Sequence, residues 1–330
     1  MTTTAALPVG VIGVGSLGFH HARILREIPE AHMMGIYDTD VGRRNAVAEQ
    51  LAIRAFDSLE DLLANVEAAV VAVPTTVHAE VALQALDLGV HLLIEKPLAS
   101  TLAEADRIVE QAEAARVLVA TGHVERFNSA LIAGERYLDE PRFIESHRLS
   151  PFGPRGTDVA VVLDLMIHDI DLVLGLVERQ VNSVAAVGVS VLTPNIDIAN
   201  ARLSFESGAV ANITASRVSR DRMRKIRFFQ RSGYISLDLA AGTGEFLRLR
   251  AGVRIGELEA GTVGIEQIVE RVELQGDGKE PLRRELEAFV GAVRGENPLV
   301  VSGREGRQAL AVALEIVQRI EHHVIDPHSS

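Results

Sequence analysis

Between Leu7 and about Thr121, five short apolar, β-branched runs, VGVIGV, MMGIY, AAVVAV, HLLIE and VLVAT, alternate with amphipathic stretches. None of the runs shows the strict apolar/polar alternation of a half-exposed strand, so both faces of each must be covered, and the intervening segments must supply the covering helices. That pattern predicts repeated βαβ units: an α/β fold whose N-terminal part is a Rossmann, doubly wound parallel sheet. Apolar spacing predicts helices near residues 17–28, 41–51, 58–65, 77–88 and 102–114. Beyond about His123 the rhythm changes to long β-rich runs, NSVAAVGVSVL, ANARLSFESGAVANITASRVS and KIRFFQRSGYISLDL, with turn signals at Ser207-Gly208 and Ser232-Gly233. This predicts a second, α+β domain with a large, mostly antiparallel sheet. Two helical patterns, EPLRRELEAFVGAVRG and GREGRQALAVALEIVQRIEHHV, close the chain. The expected domains are 1–123 for a dinucleotide and 124–330 for substrate binding and oligomerisation.

A chain of 330 residues can close two cores of ordinary size. Its 33 basic and 45 acidic residues leave a net charge of −12, which argues against nucleic acid or an anionic membrane as partner. There is no cysteine, which excludes disulfides, thiolate catalysis and cysteine-held metals. No basic residue precedes Arg23, and no apolar run reaches the roughly 18 residues that a membrane span needs. A cytoplasmic protein is expected.

VGVIGVGSLG sets Gly13, Gly15 and Gly18 in G-x-G-x-x-G spacing directly after the first strand. Two of the glycines let the chain turn and approach a pyrophosphate. The third lets helix and strand pack closely, and the helix start, with Ser16 and Leu17, offers backbone donors to the phosphate. Asp38 ends the next strand, placed to accept both hydroxyls of an adenosine ribose and to repel a 2′-phosphate, so NAD is the expected cofactor. Arg43 and Arg44 follow closely, and an arginine there could meet a 2′-phosphate, which keeps NADP open.

The strand HLLIE runs into Glu95-Lys96-Pro97. Ligands of open α/β sheets bind beyond the carboxyl ends of the strands, so Lys96 is a candidate to bind and polarise a substrate hydroxyl. A second polar intrusion is DLMIHDID, residues 164–171, where helical spacing puts Asp164, His168 and Asp171 on one stripe among apolar neighbours. A histidine with carboxylates also suggests a metal site, but no second cluster supplies further ligands, and no metal is expected.

GVIGVGSLG, VPTTVHAEVALQALDLGVHLLIEKPLA and the D-x-x-x-H of DLMIHDIDLVL occur in the order found in the Gfo/Idh/MocA oxidoreductases, named for glucose-fructose oxidoreductase and inositol dehydrogenase, and the chain resembles that family over nearly its whole length. The resemblance implies an NAD-dependent dehydrogenase acting on CH–OH groups, with the nicotinamide held between the domains and with Lys96, Asp164 and His168 as catalytic residues that also touch substrate. His168 is the expected base, Asp164 its orienting partner and Lys96 the ligand of the reacting oxygen, able to share the proton. Pro74, Thr75, His78 and Glu95 are expected to line the cofactor.

Within the family, DVAVVLDLMIHDIDLVL together with GHVERFN resembles a narrower subgroup, the dehydrogenases that oxidise the 3-hydroxyl of UDP-N-acetylglucosamine to a 3-keto sugar for a partner aminotransferase. Arg126 would then meet a diphosphate, Asn128 the sugar or its acetamido group, and Arg155 a phosphate or sugar. An interdomain ion pair of Glu125 with Arg126 is the bland alternative. The rival enzymatic reading is a dehydrogenase of a free sugar or polyol such as myo-inositol or glucose; a catalytically silent NAD(H)-binding sensor is the rival of another class. Stretches such as ARLSFESGAVANITAS read as apolar on both phases, which, with the resemblance, suggests a homodimer or homotetramer built sheet to sheet.

Overall fold

The structure is a computed structural model that describes residues 5–153, 156–177, 179–251, 253 and 264–325. It divides into two compact units. The first holds the residues up to Val124 together with Glu280–Ala311; the second holds Glu125–Lys279 and the chain from Val312 onward.

In the first unit the elements follow as β1 (Leu7–Ile12), α1 (Ser16–Leu25), β2 (Ala31–Tyr37), α2 (Val41–Leu51), α3 (Leu59–Leu63), β3 (Ala68–Val71), α4 (His78–Asp87), β4 (His91–Glu95), α5 (Leu102–Ala115) and β5 (Val119–Gly122). The five strands form one parallel sheet in the order β2-β1-β3-β4-β5. The order reverses between β1 and β3, which opens a crevice at the carboxyl ends of those two strands. Helix starts follow local chemistry: Asp40 caps α2 by accepting from Arg43 N–H, and Thr101 with Glu104 forms a reciprocal capping box on α5. The returning helix Pro281–Val293 contributes Leu286, Phe289 and Val290 to the cluster that buries Val9, Val11, Ala22, Ile24 and Leu25. This apolar stripe explains why a segment so late in the chain belongs to the first unit.

The second unit adds α6 (Ser129–Glu135), β6 (Phe143–Leu149), a π-helical turn (Val162–Met166), α7 (Ile167–Val177), β7 (Val181–Val189), β8 (Ile198–Phe205), β9 (Val210–Ser216), β10 (Met223–Gln230), β11 (Gly233–Asp238), β12 (Thr243–Leu249), α8 (Ile265–Ile268) and β13 (Val269–Gln275). Eight strands form one sheet in the order β13-β12-β11-β10-β6-β9-β8-β7, antiparallel except where β6 runs parallel to β9. Ala201, Leu203, Ala211 and Ile213 are buried on the inner phase of β8 and β9. The outer phase of the same strands is polar: Asn200 donates to Thr214 at 2.9 Å and Arg202 to Asn212 at 3.1 Å. The expectation of apolar residues on both phases is therefore corrected here. The alternation is the ordinary one of a sheet with one covered face.

Candidate functional site

The glycine loop is shaped by two different demands. At Gly13, φ is +82° and a Cβ would fall 2.7 Å from the Ala72 carbonyl oxygen; at Gly18 it would fall 1.9 Å from the carbonyl oxygen of Gly13. Packing within the protein requires both glycines. At Gly15 a Cβ would meet no protein atom within 4 Å, and no side chain caps the start of α1 that follows it. The first-turn N–H groups of α1, beginning at exposed Ser16 and half-buried Leu17, thus face a space that suits a pyrophosphate.

At the end of β2, Asp38 is fastened to this loop: its Oδ2 accepts from Val14 N–H at 2.7 Å and its Oδ1 from Asp40 N–H at 2.9 Å. Arg43 lies along the same loop, donating from Nε to the Val14 carbonyl at 2.8 Å and from Nη2 to that of Gly15 at 3.3 Å. Arg44 differs. It is buried and pairs with Asp57 at 3.0 Å. The residues present fit a dinucleotide, since a carboxylate and an exposed guanidinium stand side by side on the glycine loop.

At the carboxyl end of β4, Glu95 turns into the unit and Lys96 is half-buried. Glu95 Oε1 lies 2.7 Å from His21 Nε2 of α1, and its Oε2 accepts from Lys96 N–H at 3.3 Å. Burial opposes its ionisation, but the hydrogen bond and charge of His21, aided by Lys96, prevail and hold the carboxyl below its ordinary value. The peptide bond from Lys96 to Pro97 is cis. His78, at the start of α4, is buried with Nδ1 3.0 Å from the Pro97 carbonyl and Nε2 3.0 Å from that of Val73. Burial holds its pKa below the ordinary histidine value, while the two carbonyls pull the other way. His78 thereby ties the turn after Lys96 to the loop that carries exposed Pro74 and half-buried Thr75.

In the second unit the helix bearing DLMIHDID begins with the π-helical turn, in which Ile167 N–H reaches back to the Val162 carbonyl. The extra residue in that turn rotates the stripe expected from α-helical spacing. Asp164 and His168 remain half-exposed together, whereas Asp169 and Asp171 are each 1% exposed. Gly156, with φ +73°, packs against Asp164 so closely that a Cβ there would lie 2.4 Å from Oδ2. π turns recur at functional sites, and this one sets apart the Asp and His that share exposure.

The other substrate candidates are placed within the unit's own framework. Arg126 grips Asp171 with Nε at 2.7 Å and Nη2 at 3.0 Å. Asn128 caps α6 through Ala130 N–H and donates to Glu125 and to the Leu239 carbonyl. Arg155 lies outside the described residues. Glu125 pairs with Arg148 at 2.7 Å. Arg148 is a residue that sequence reasoning passed over, although it was detectable as a charge on the inward phase of FIESHRL. Among the described residues no group of three or more His, Asp or Glu is arranged to hold a metal ion, and no helix is long and apolar enough to cross a membrane.

Comparison with known proteins agrees with these features. Residues 7–123 match the model of the oxidoreductase family with an NAD-binding Rossmann fold, and residues 103–236 match the Gfo/Idh/MocA C-terminal domain. The chain is 37% identical over 317 residues to the UDP-N-acetylglucosamine 3-dehydrogenase of Acidithiobacillus ferrooxidans, covering 94% of this chain and 96% of that one. It is 27% identical to the myo-inositol 2-dehydrogenase of Thermotoga maritima, over 95% and 96% of the two chains. A solved structure of the Acidithiobacillus enzyme superposes with a TM-score of 0.88 at 35% identity, covering 97% of this chain and 99% of that one. The glycine loop with Asp38, the eight-stranded sheet and near full-length similarity to dehydrogenases make this chain an NAD-dependent member of the Gfo/Idh/MocA oxidoreductase family.

Proposed function

We propose that the protein oxidises the 3-hydroxyl of UDP-N-acetylglucosamine to a 3-keto nucleotide sugar. The observation that carries this reading is 37% identity over 94% of the chain to an enzyme of that activity, against 27% for the inositol dehydrogenase relative. Bound NAD supplies the acceptor for the hydride that leaves the carbinol carbon. The side chains manage the proton: His168 accepts it from the hydroxyl, Asp164, four residues earlier, orients the imidazole, and the Lys96 ammonium hydrogen-bonds the reacting oxygen as negative charge develops there. The framework behind Lys96, Glu95 with His21 and His78 with Pro97, fixes the backbone from which that side chain extends. A cytoplasmic setting goes with this reading, and a 3-keto product suits an aminotransferase as the next enzyme. The outer face of the eight-stranded sheet, where Phe229 stacks on Phe143 at 5.4 Å and on Tyr234 at 4.9 Å, is the surface for a homodimer or homotetramer.

The test is NAD reduction followed by nicotinamide absorbance in the presence of a carbonyl trap, with UDP-N-acetylglucosamine, N-acetylglucosamine, myo-inositol and glucose offered separately. Turnover of the UDP-sugar alone is expected. Turnover of a free polyol alone would sink the nucleotide-sugar reading while leaving the dehydrogenase intact. Lys96→Met should abolish turnover and spare NADH binding.

A further inference from the structure

Arg148 of β6 and Arg224 of β10 are direct cross-strand partners. Both stand on the covered face of the sheet, in phase with buried Ile144 and Ser146 on one strand and Ile226 and Phe228 on the other. Arg222, two residues before Arg224, falls on the same phase just outside the strand, and it is exposed. Like charges set directly opposite one another in a sheet are destabilising, so three arginines at one strand end need compensation.

The compensation is incomplete. Arg148 is buried and satisfied by Asp169, through a contact of 2.5 Å, and by Glu125 at 2.7 Å. Glu125 also accepts from Asn128 at 3.0 Å. Arg224 reaches this carboxylate only at 3.5 Å, and its side chain is 43% exposed. Among the described residues, Arg148 and Arg224 thus share two carboxylates, both already engaged by Arg148, and Arg222 adds a further positive charge beside Arg224. Burial, followed by the like charge of Arg148 and Arg222, holds Arg224 below the ordinary arginine value, the direction expected where positive charge is in excess. The place is relevant to catalysis, because Asp169, which anchors Arg148, directly follows His168 in the first turn of α7.

We propose that Arg224, together with Arg222, receives the diphosphate of a nucleotide-sugar substrate, an inference that rests on the nucleotide-sugar reading above. A diphosphate brings the negative charge that this strand end lacks, and a guanidinium matches its oxygens bidentately. Arg126 is less suited to that role, since the Nε–Nη2 edge of its fork already holds Asp171. The selection of a nucleotide sugar over a free polyol would then lie in the strand end of β10 rather than in the residues that move the proton.

The experiment compares wild type with Arg224→Gln, Arg224→Lys, Arg222→Gln and, as a control that removes the same charge beyond the other end of β10, Arg231→Gln. The readouts are kcat and KM for UDP-N-acetylglucosamine, the inhibition constant of UDP, and NADH binding by fluorescence, which reports an intact fold. Arg224→Gln should raise KM and the UDP inhibition constant together by about 10- to 100-fold with kcat within about twofold. Arg224→Lys should fall between, Arg222→Gln should move the same two constants by less, and Arg231→Gln should match wild type. Should Arg224→Gln lose NADH binding through misfolding, exposed Arg222 carries the test. Unchanged KM and UDP inhibition in the arginine variants, with wild type turning over the UDP-sugar, would overturn this inference and leave the substrate reading standing. A fall in kcat alone would likewise overturn it, and a wild type that ignores both UDP and the UDP-sugar would overturn the two together.

Discussion

His21 Nε2 and Glu95 Oε1 lie 2.7 Å apart inside the first unit, both buried, one residue from Lys96. Among the described residues the other ring nitrogen of His21 has no hydrogen-bond partner, so the ring is there for Glu95. His21→Ala, which removes the side-chain partner of a buried carboxylate, should cost about 3 kcal/mol in urea unfolding. The pH dependence has a definite sign. The folded-state pKa of Glu95 lies below its ordinary 4.5, so its contribution is fully present above that value and is lost as pH falls through the lower, native one. The part of the stability difference between wild type and Glu95→Gln that comes from the Glu95 charge should therefore be lost only as pH falls below the ordinary carboxyl range.

Gly15 and Gly18 should respond in opposite ways to alanine. A methyl at Gly18 meets the Gly13 backbone carbonyl at 1.9 Å, where nothing can yield cheaply, and unfolding should be easier by about 2 kcal/mol or more. A methyl at Gly15 meets no protein atom. Gly15→Ala should keep the melting temperature of wild type while weakening NADH binding by about tenfold or more, measured by fluorescence titration.

Asp38 and Arg43 stand together on the glycine loop with opposite charges. Removing the carboxylate while keeping the guanidinium should favour a 2′-phosphate. In Asp38→Ser the ratio of kcat/KM for NADP to that for NAD is expected to rise by about 100-fold, most of it from loss of repulsion. The double variant Asp38→Ser, Arg43→Ala should lose much of that gain, because no exposed cation then remains on the loop; Arg44 is held by Asp57.

The pair Arg126–Asp171 is nearly dry, with side-chain exposures of 14% and 1%. Replacing Arg126 with Met leaves Asp171 buried and uncompensated, and stability should fall by about 3–5 kcal/mol. In protein that remains folded, KM for the UDP-sugar should stay near that of wild type. Calorimetry and steady-state kinetics on the same preparation separate this expectation from a direct role in binding phosphate.

Periodicity made the five parallel strands legible, because strands covered on both faces must be apolar throughout and their helices must be amphipathic. The meeting of Asp38 with the glycine loop was legible for a related reason: both lie within one βαβ unit, near neighbours in the chain, and Asp38 accepts from Val14 N–H. What each charged residue of the second unit does was decided by tertiary structure. Across the π-helical turn Asp164 and His168 stay half-exposed while Asp171 is buried, a separation that α-helical spacing, which puts the three on one stripe, does not foresee. Cross-strand register set Arg148 opposite Arg224, and pairing over long separations joined His21 to Glu95 and Arg126 to Asp171. A linear pattern reports which face a residue occupies; which partner waits there depends on strand register and helix phase, and these are established only when the distant segments pack.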